Sequence, residues 1–252
     1  RIRMTRWKLV IEYDGASFVG WQRQANGKSV QSVLEDAVFQ FSQEKCLVQG
    51  AGRTDSGVHA LGQVAHVDIV KPVDGDTVRD AMNFHLKPSS VVIRSAEAVS
   101  EDFHARFSAM RRTYLYRIMD RRAAPVLEVG RVWHVSMALN ADAMRLAAQS
   151  LLGHHDFTSF RAKDCQANSP MRTLDRLDIR RVNEEIHLNV EARSFLHHQV
   201  RNFAGTLKLV GEGKWGRREV EGALVACDRA AAGPTAPAHG LYLVSVSYDD
   251  AD

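Results

Sequence analysis

Residues 29–41 read SVQSVLEDAVFQF, and their periodicity decides the fold of the first half of the chain. Val30, Val33, Leu34, Ala37, Val38 and Phe41 recur at the spacing of one helical face, and Ser29 is placed to cap the first turn. Upstream, WKLVIEYD at 7–14 reads as a strand ended by Asp14-Gly15. Downstream come a short strand around Leu47, a glycine-studded loop from Gly50 to Gly62, and a strand from Gln63 to Ile69. Asp76 opens a second helix through Leu86, and Val91 to Val99 closes the half as a strand.

That order, β-α-β-β-α-β, is the split ferredoxin-like arrangement. The second half repeats it with insertions. Thr113 to Met119 is a strand, Val132 to Val135 an extra short one, and Asn140 caps a helix ending at Leu152-Gly153. Leu174 to Val182 and Glu185 to Ala192 form a hairpin across Asn183-Glu184. Helices follow at Phe195 to Val210 and Glu219 to Cys227, and Leu241 to Tyr248 is the final strand. The expected class is α/β: two ferredoxin-like βαββαβ halves joined into one mostly antiparallel sheet, with helices on one face. Joining would remove two exposed edges. The expected domains are 1–104 and 105–252, the boundary falling between Ser100 and Ala109.

With 33 Lys and Arg against 30 Asp and Glu, the net charge of +3 permits a polyanionic partner without requiring one. Any nucleic-acid site must then be a local patch. No apolar run approaches the ~20 residues that span a bilayer. The opening RIRMTRWKLV lacks a signal-peptide apolar region, so a cytoplasmic location is expected. Cys46, Cys165 and Cys227 are odd in number and widely spaced, which fits a reducing compartment and argues against a disulfide framework or zinc knuckle. The adjacent pairs His154-His155 and His197-His198 are not expected to hold metal, because neighbours on a strand or helix point apart.

The chemistry concentrates in GRTDSGVHA, residues 52–60. Glycines at 50, 52, 57 and 62 free the backbone and leave room for a ligand. A carboxylate two residues from the Arg53 guanidinium tends to stay ionised, and an ionised Asp55 can serve as nucleophile or base. On spacing alone, the segment reads first as an ordinary turn in which Asp55 bonds local amides, and next as a metal ligand or a phosphate-binding nest.

GRTDSGVHA is similar to the signature of the tRNA pseudouridine synthase A family. The likeness continues through IEYDGASFVGWQRQANGKSVQSVLE at 11–35, DFHARFSAMRRTYLY at 102–116, DFTSFR at 156–161, FLHHQVRNFAG at 195–205 and APAHGLYL at 236–243. It spans essentially the whole chain in order. It implies an isomerase that converts uridine to pseudouridine at positions 38, 39 and 40 of the tRNA anticodon stem-loop, with an RNA cleft on the sheet face opposite the helices. It also implies a homodimer in which one tRNA contacts both subunits.

By position, Asp55 inherits the nucleophile's role and Arg53 that of its basic neighbour. Tyr114 matches the tyrosine placed against the target base, and Arg201 an arginine near the aspartate. Thr113 stands where a basic residue is common in the family. Pseudouridylation breaks the bond from ribose C1′ to N1 of uracil, turns the base and joins C1′ to C5. No atoms enter or leave and nothing is oxidised, so no cofactor is expected. The carboxylate is required either to bond to the sugar or to remove a proton and give a glycal. Arg53 or Arg201 would hold it ionised, and Tyr114 offers an aromatic face to the extruded uracil. Candidate phosphate grips are Arg106, Arg111, Arg112, Arg117, Arg121, Arg122, Arg172, Arg176, Arg180 and Arg181. The rival functions are a non-catalytic binder of structured RNA and a carboxylate-dependent nucleosidase. The latter chemistry generally needs a second carboxylate within roughly 5–10 Å, and none stands out in the loop.

Overall fold

Alternation builds the first strand, β1 (Thr5–Tyr13): Trp7, Leu9, Ile11 and Tyr13 are buried while Lys8, Val10 and Glu12 are not. Each such apolar side chain taken from water contributes roughly 1.5–3 kcal/mol. The computed structural model describes residues 4–249, and contacts divide the chain into two units. One runs through Met110 and takes back the chain from Tyr242; the other is Arg111–Leu241.

The first unit follows the predicted order with α1 (Val30–Ser42), β2 (Gln49–Gly50), β3 (His59–Ile69), α2 (Gly75–Leu86) and β4 (Val91–Val99). Its strands run β4-β1-β3, antiparallel, with β2 antiparallel on β3 and the last strand, β10 (Leu241–Ser247), parallel to β3. β3 begins at His59 rather than Gln63, so the last four residues of the predicted loop, His59 to Gly62, are strand. Ser29 caps α1 as expected: its hydroxyl accepts the Ser32 N–H at 3.1 Å, while the Ser32 hydroxyl accepts the Ser29 N–H at 3.2 Å. Such a cap stabilises a helix by about 1 kcal/mol. α2 is capped by Asp74, two residues before the predicted start at Asp76.

The second unit contains β5 (Arg111–Met119), β6 (Trp133–His134), α3 (Ala141–Ala148), β7 (Gly153–Asp156), β8 (Met171–Val182), β9 (Glu185–Ala192), α4 (Gln199–Gly211) and α5 (Arg217–Ala226). Its strands run β5-β9-β8-β7, all antiparallel, with β6 parallel to β5. Ile186, Leu188, Val190 and Ala192 of β9 alternate inward, and Phe157, Phe160 and Phe203 meet edge-on or tilted with centroids 5.1–6.3 Å apart. The α/β class and the mostly antiparallel pairing follow the expectation in each unit. Among the described residues no helix is long and apolar enough to cross a membrane.

α4 starts at Gln199 and not at Phe195. Residues 195–198 continue the apolar pattern, but His198 takes the left-handed conformation (φ 62°), and the Gln199 side chain accepts the Leu196 N–H at 2.8 Å, which makes a turn there. β7 was not foreseen: its four residues are GHHD, with no strand periodicity, and pair with Met171–Leu174.

One buried histidine sets a pH dependence. His66 on β3 is 1% exposed, its Nδ1 accepts the Ala105 N–H at 3.0 Å, and its Nε2 has no hydrogen-bond partner among the described residues. Burial, then the positive Arg6 and the ring of His104, lower its pKa to about 4, against a weaker pull from Asp68. The unfolded chain takes up this proton near pH 6.5 and the folded one only near 4. The stabilisation is therefore complete above about pH 6.5 and lost as pH falls towards 4, with a ceiling of about 3 kcal/mol. Urea midpoints should fall between pH 7 and 4.5, and His66→Gln should flatten that slope. Equal slopes would rule His66 out as the cause.

Candidate active site

In the first unit the segment around Asp55 is clamped by the chain that leaves β1. Gly20 and Asp55 form an isolated antiparallel bridge, the Trp21 N–H donates to the Thr54 carbonyl at 3.0 Å, and the Ser56 hydroxyl donates to the Phe18 carbonyl at 3.0 Å. The Tyr13 and Thr54 hydroxyls share a hydrogen bond at 2.7 Å. The Val58 N–H donates to the Asp55 carbonyl at 3.1 Å, closing a turn in which Gly57 takes φ 82°. Of the four glycines singled out in the sequence, Gly57 alone needs the left-handed region.

His59, 3% exposed, locks this clamp from below. Its Nδ1 accepts the Gly15 N–H at 3.0 Å and its ring lies 4.9 Å from that of Tyr242. The Asp14 carboxylate also lies 3.2 Å from Nδ1. Asp14 also caps the following turn, accepting the Ala16 N–H at 3.0 Å. Asp55 itself is half-buried, and Arg53, two residues earlier, is exposed.

Tyr114 and Arg201 belong to the second unit. Tyr114, half-buried on β5, meets Phe195 edge-on at 5.1 Å. Tyr116 occupies the same face two residues on but is fully buried, its hydroxyl donating to the Pro237 carbonyl at 2.7 Å. Burial raises its pKa far above the ordinary range, which leaves Tyr116 a structural strut. Arg201 is half-buried on α4, and its Nε donates to the Ala236 carbonyl at 2.8 Å. The Ala236 N–H returns a bond to the Arg201 carbonyl at 3.1 Å, which ties the APAHGLYL segment to α4.

Two expectations need correction. The rings of His197 and His198 do not point apart; their centroids are 3.9 Å from one another. These neighbours lie on neither a strand nor a regular helix, because the left-handed His198 turns the chain there. Of the ten candidate phosphate grips, five already have carboxylate partners. Arg117 pairs with Glu128 and Glu185, Arg121 with Glu184, Arg176 with Asp178 and Glu191, Arg180 with Asp178, and Arg181 with Asp120 through two 2.7 Å bonds. Arg172 donates to the Ser169 and Met171 carbonyls, and burial lowers its pKa.

Residues that the motif reading missed are Tyr13, Gly15 and Gly20, which with His59 hold the Asp55 turn. The Asp14-Gly15 and Gly20-Trp21 pairs carried that signal, but as turn punctuation they do not announce which segment they pack on.

With this geometry in place, comparison with known proteins is informative. The family model described as tRNA pseudouridine synthase matches residues 9–108 and 147–249. A tRNA pseudouridine synthase A from Rhodospirillum centenum is 59% identical over 97% of this chain and 100% of its own. Those of Paramagnetospirillum magneticum and Parvibaculum lavamentivorans are 59% and 57% identical, over 97% and 98% of this chain and 96% and 100% of theirs. The chain belongs to the tRNA pseudouridine synthase family.

Proposed function

We propose that the protein isomerises uridine to pseudouridine in tRNA, at positions 38, 39 and 40 of the anticodon stem-loop, with Asp55 as the nucleophile. The observation that carries this reading is the aspartate of GRTDSGVHA set in a turn clamped by main-chain bonds, in a chain of this family. Such a clamp fixes a carboxylate before substrate arrives, and orientation supplies much of the barrier lowering in reactions of this kind. The half-buried Asp55 side chain would meet ribose C1′ of an extruded uridine. Extrusion costs a few kcal/mol, which contacts elsewhere on the RNA offset.

In this reading residues 1–104 supply Asp55 and the exposed Arg53, which reaches RNA phosphate or the carboxylate. Residues 105–252 supply Tyr114, whose ring faces the target uracil, and Arg201, a cation on α4 whose Nε donates to the Ala236 carbonyl. The reaction as balanced above needs no cofactor. The working form is a homodimer: Val126, Leu127 and Val129 stand 82%, 90% and 66% exposed on one loop, an apolar surface of the kind a partner covers.

Unmodified tRNA incubated with the protein and mapped chemically for pseudouridine should show modification at 38, 39 or 40. Modification elsewhere would overturn the site assignment, and none at all would overturn the activity. Sedimentation equilibrium should return twice the chain mass.

A further inference from the structure

Phe107, in the segment between β4 and β5, is 71% exposed. Single exposed apolar side chains are common, but this ring is held in place. The His104 ring lies tilted against it with centroids 4.3 Å apart, and the Arg106 guanidinium is 5.6 Å from its centroid. His104 organises the turn that carries both. Its Nδ1 accepts the N–H groups of Arg106 at 3.1 Å and Phe107 at 3.3 Å. Its own N–H donates to the Ser108 hydroxyl at 2.9 Å, and the Ser108 N–H returns to the His104 carbonyl at 2.9 Å.

With Nδ1 accepting, the ring proton lies on Nε2 and donates to Gln49 Oε1 at 3.2 Å. Burial, Arg6 and Arg106 all lower the His104 pKa, so the neutral tautomer persists at neutral pH. The ring also meets the buried His66 edge-on at 4.7 Å, which anchors the turn in the core of the first unit. An aromatic face is thus presented to solvent with its orientation settled in advance, beside a cation.

We propose that Phe107, backed by His104 and flanked by Arg106, is a stacking platform for one unpaired nucleobase of the RNA substrate, with Arg106 meeting a neighbouring phosphate. The inference rests on the RNA-modifying function proposed above and adds a binding site to it. Every base has a π-face, so stacking on this ring, with Arg106 given to phosphate, selects for an unstacked base and not for a sequence. An anticodon loop offers such bases. Because the ring is already ordered, little rotamer freedom is lost on stacking.

The test is filter binding of unmodified tRNA to the full chain over a range of salt concentrations. Phe107→Ala should raise Kd about tenfold and leave the slope of log Kd against log salt unchanged, because stacking releases no counterion. Phe107→Tyr should bind like wild type. Arg106→Gln should reduce the salt slope by about one. Circular dichroism should be the same for all four proteins. Phe107→Ala binding as tightly as wild type, or Phe107→Tyr as weakened as Phe107→Ala, would overturn the platform alone. Failure of wild type to bind tRNA would instead overturn the functional reading and the platform with it.

Discussion

Asp55→Asn is expected to abolish pseudouridine formation, lowering kcat by on the order of 10⁴-fold or more, with tRNA affinity and thermal midpoint near wild type. The amide matches the carboxylate in shape but is neither a nucleophile nor a base. The clamp around position 55 is main-chain: the bridge to Gly20 and the bond from the Val58 N–H both involve backbone atoms of Asp55. An asparagine therefore inherits the same turn. Single-turnover assays at saturating enzyme isolate the chemical step from binding. Residual activity within about tenfold of wild type would be too large for loss of the nucleophile and would move the chemistry elsewhere.

Gly15→Ala is expected to cost on the order of 100-fold in kcat/KM although position 15 touches no substrate in this account. A Cβ there would lie 1.9 Å from the Val58 carbonyl oxygen, and real Cβ contacts do not fall below 3.0 Å, so the chain must give by about 1.1 Å (3.0 − 1.9). The obstacle is backbone, with no flexible side-chain end to swing away. Val58 bonds to Asp55 and Gly15 to His59, so the displacement passes directly into the turn that carries Asp55. A misplacement of ~1 Å can cost about 100-fold when geometry is the source of catalysis. The measurement is kcat/KM with far-ultraviolet circular dichroism as a control. Unchanged kcat/KM would show that the turn does not depend on its support from Gly15.

Where information was local, the residues revealed the structure. β1, α1 and the β8–β9 hairpin follow from alternation, a helical stripe and Asn183, which takes φ 55° between the two strands. What escaped depends on contacts between distant segments. β7 is four polar-leaning residues whose strand character comes only from Met171–Leu174. The parallel pairing of Tyr242 and Leu243 with His59 and Ala60 brings the end of the chain back to the first unit, which no nearby periodicity announces. The arginines read as phosphate grips were judged one at a time, and carboxylates up to 68 residues away had already claimed half of them.

The site divides the same way. The 52–60 motif was readable as the seat of the chemistry, and Asp55, Arg53, Tyr114 and Arg201 as its candidates. Its mechanical support was not, because Tyr13–Thr54 and Gly15–His59 are contacts across 41 and 44 residues. Arg201 lay inside a predicted helix, and its bonds to Ala236 become visible only when the segment after α5 is folded over α4.

Transfer RNA labelled in its uracil rings and digested to nucleosides after incubation gives the decisive reading. If the Asp55 carboxylate works at C1′ so that the base returns to its own sugar, the label stays in the RNA and moves from uridine to pseudouridine. Label recovered as free uracil would mean hydrolysis and would contradict the account.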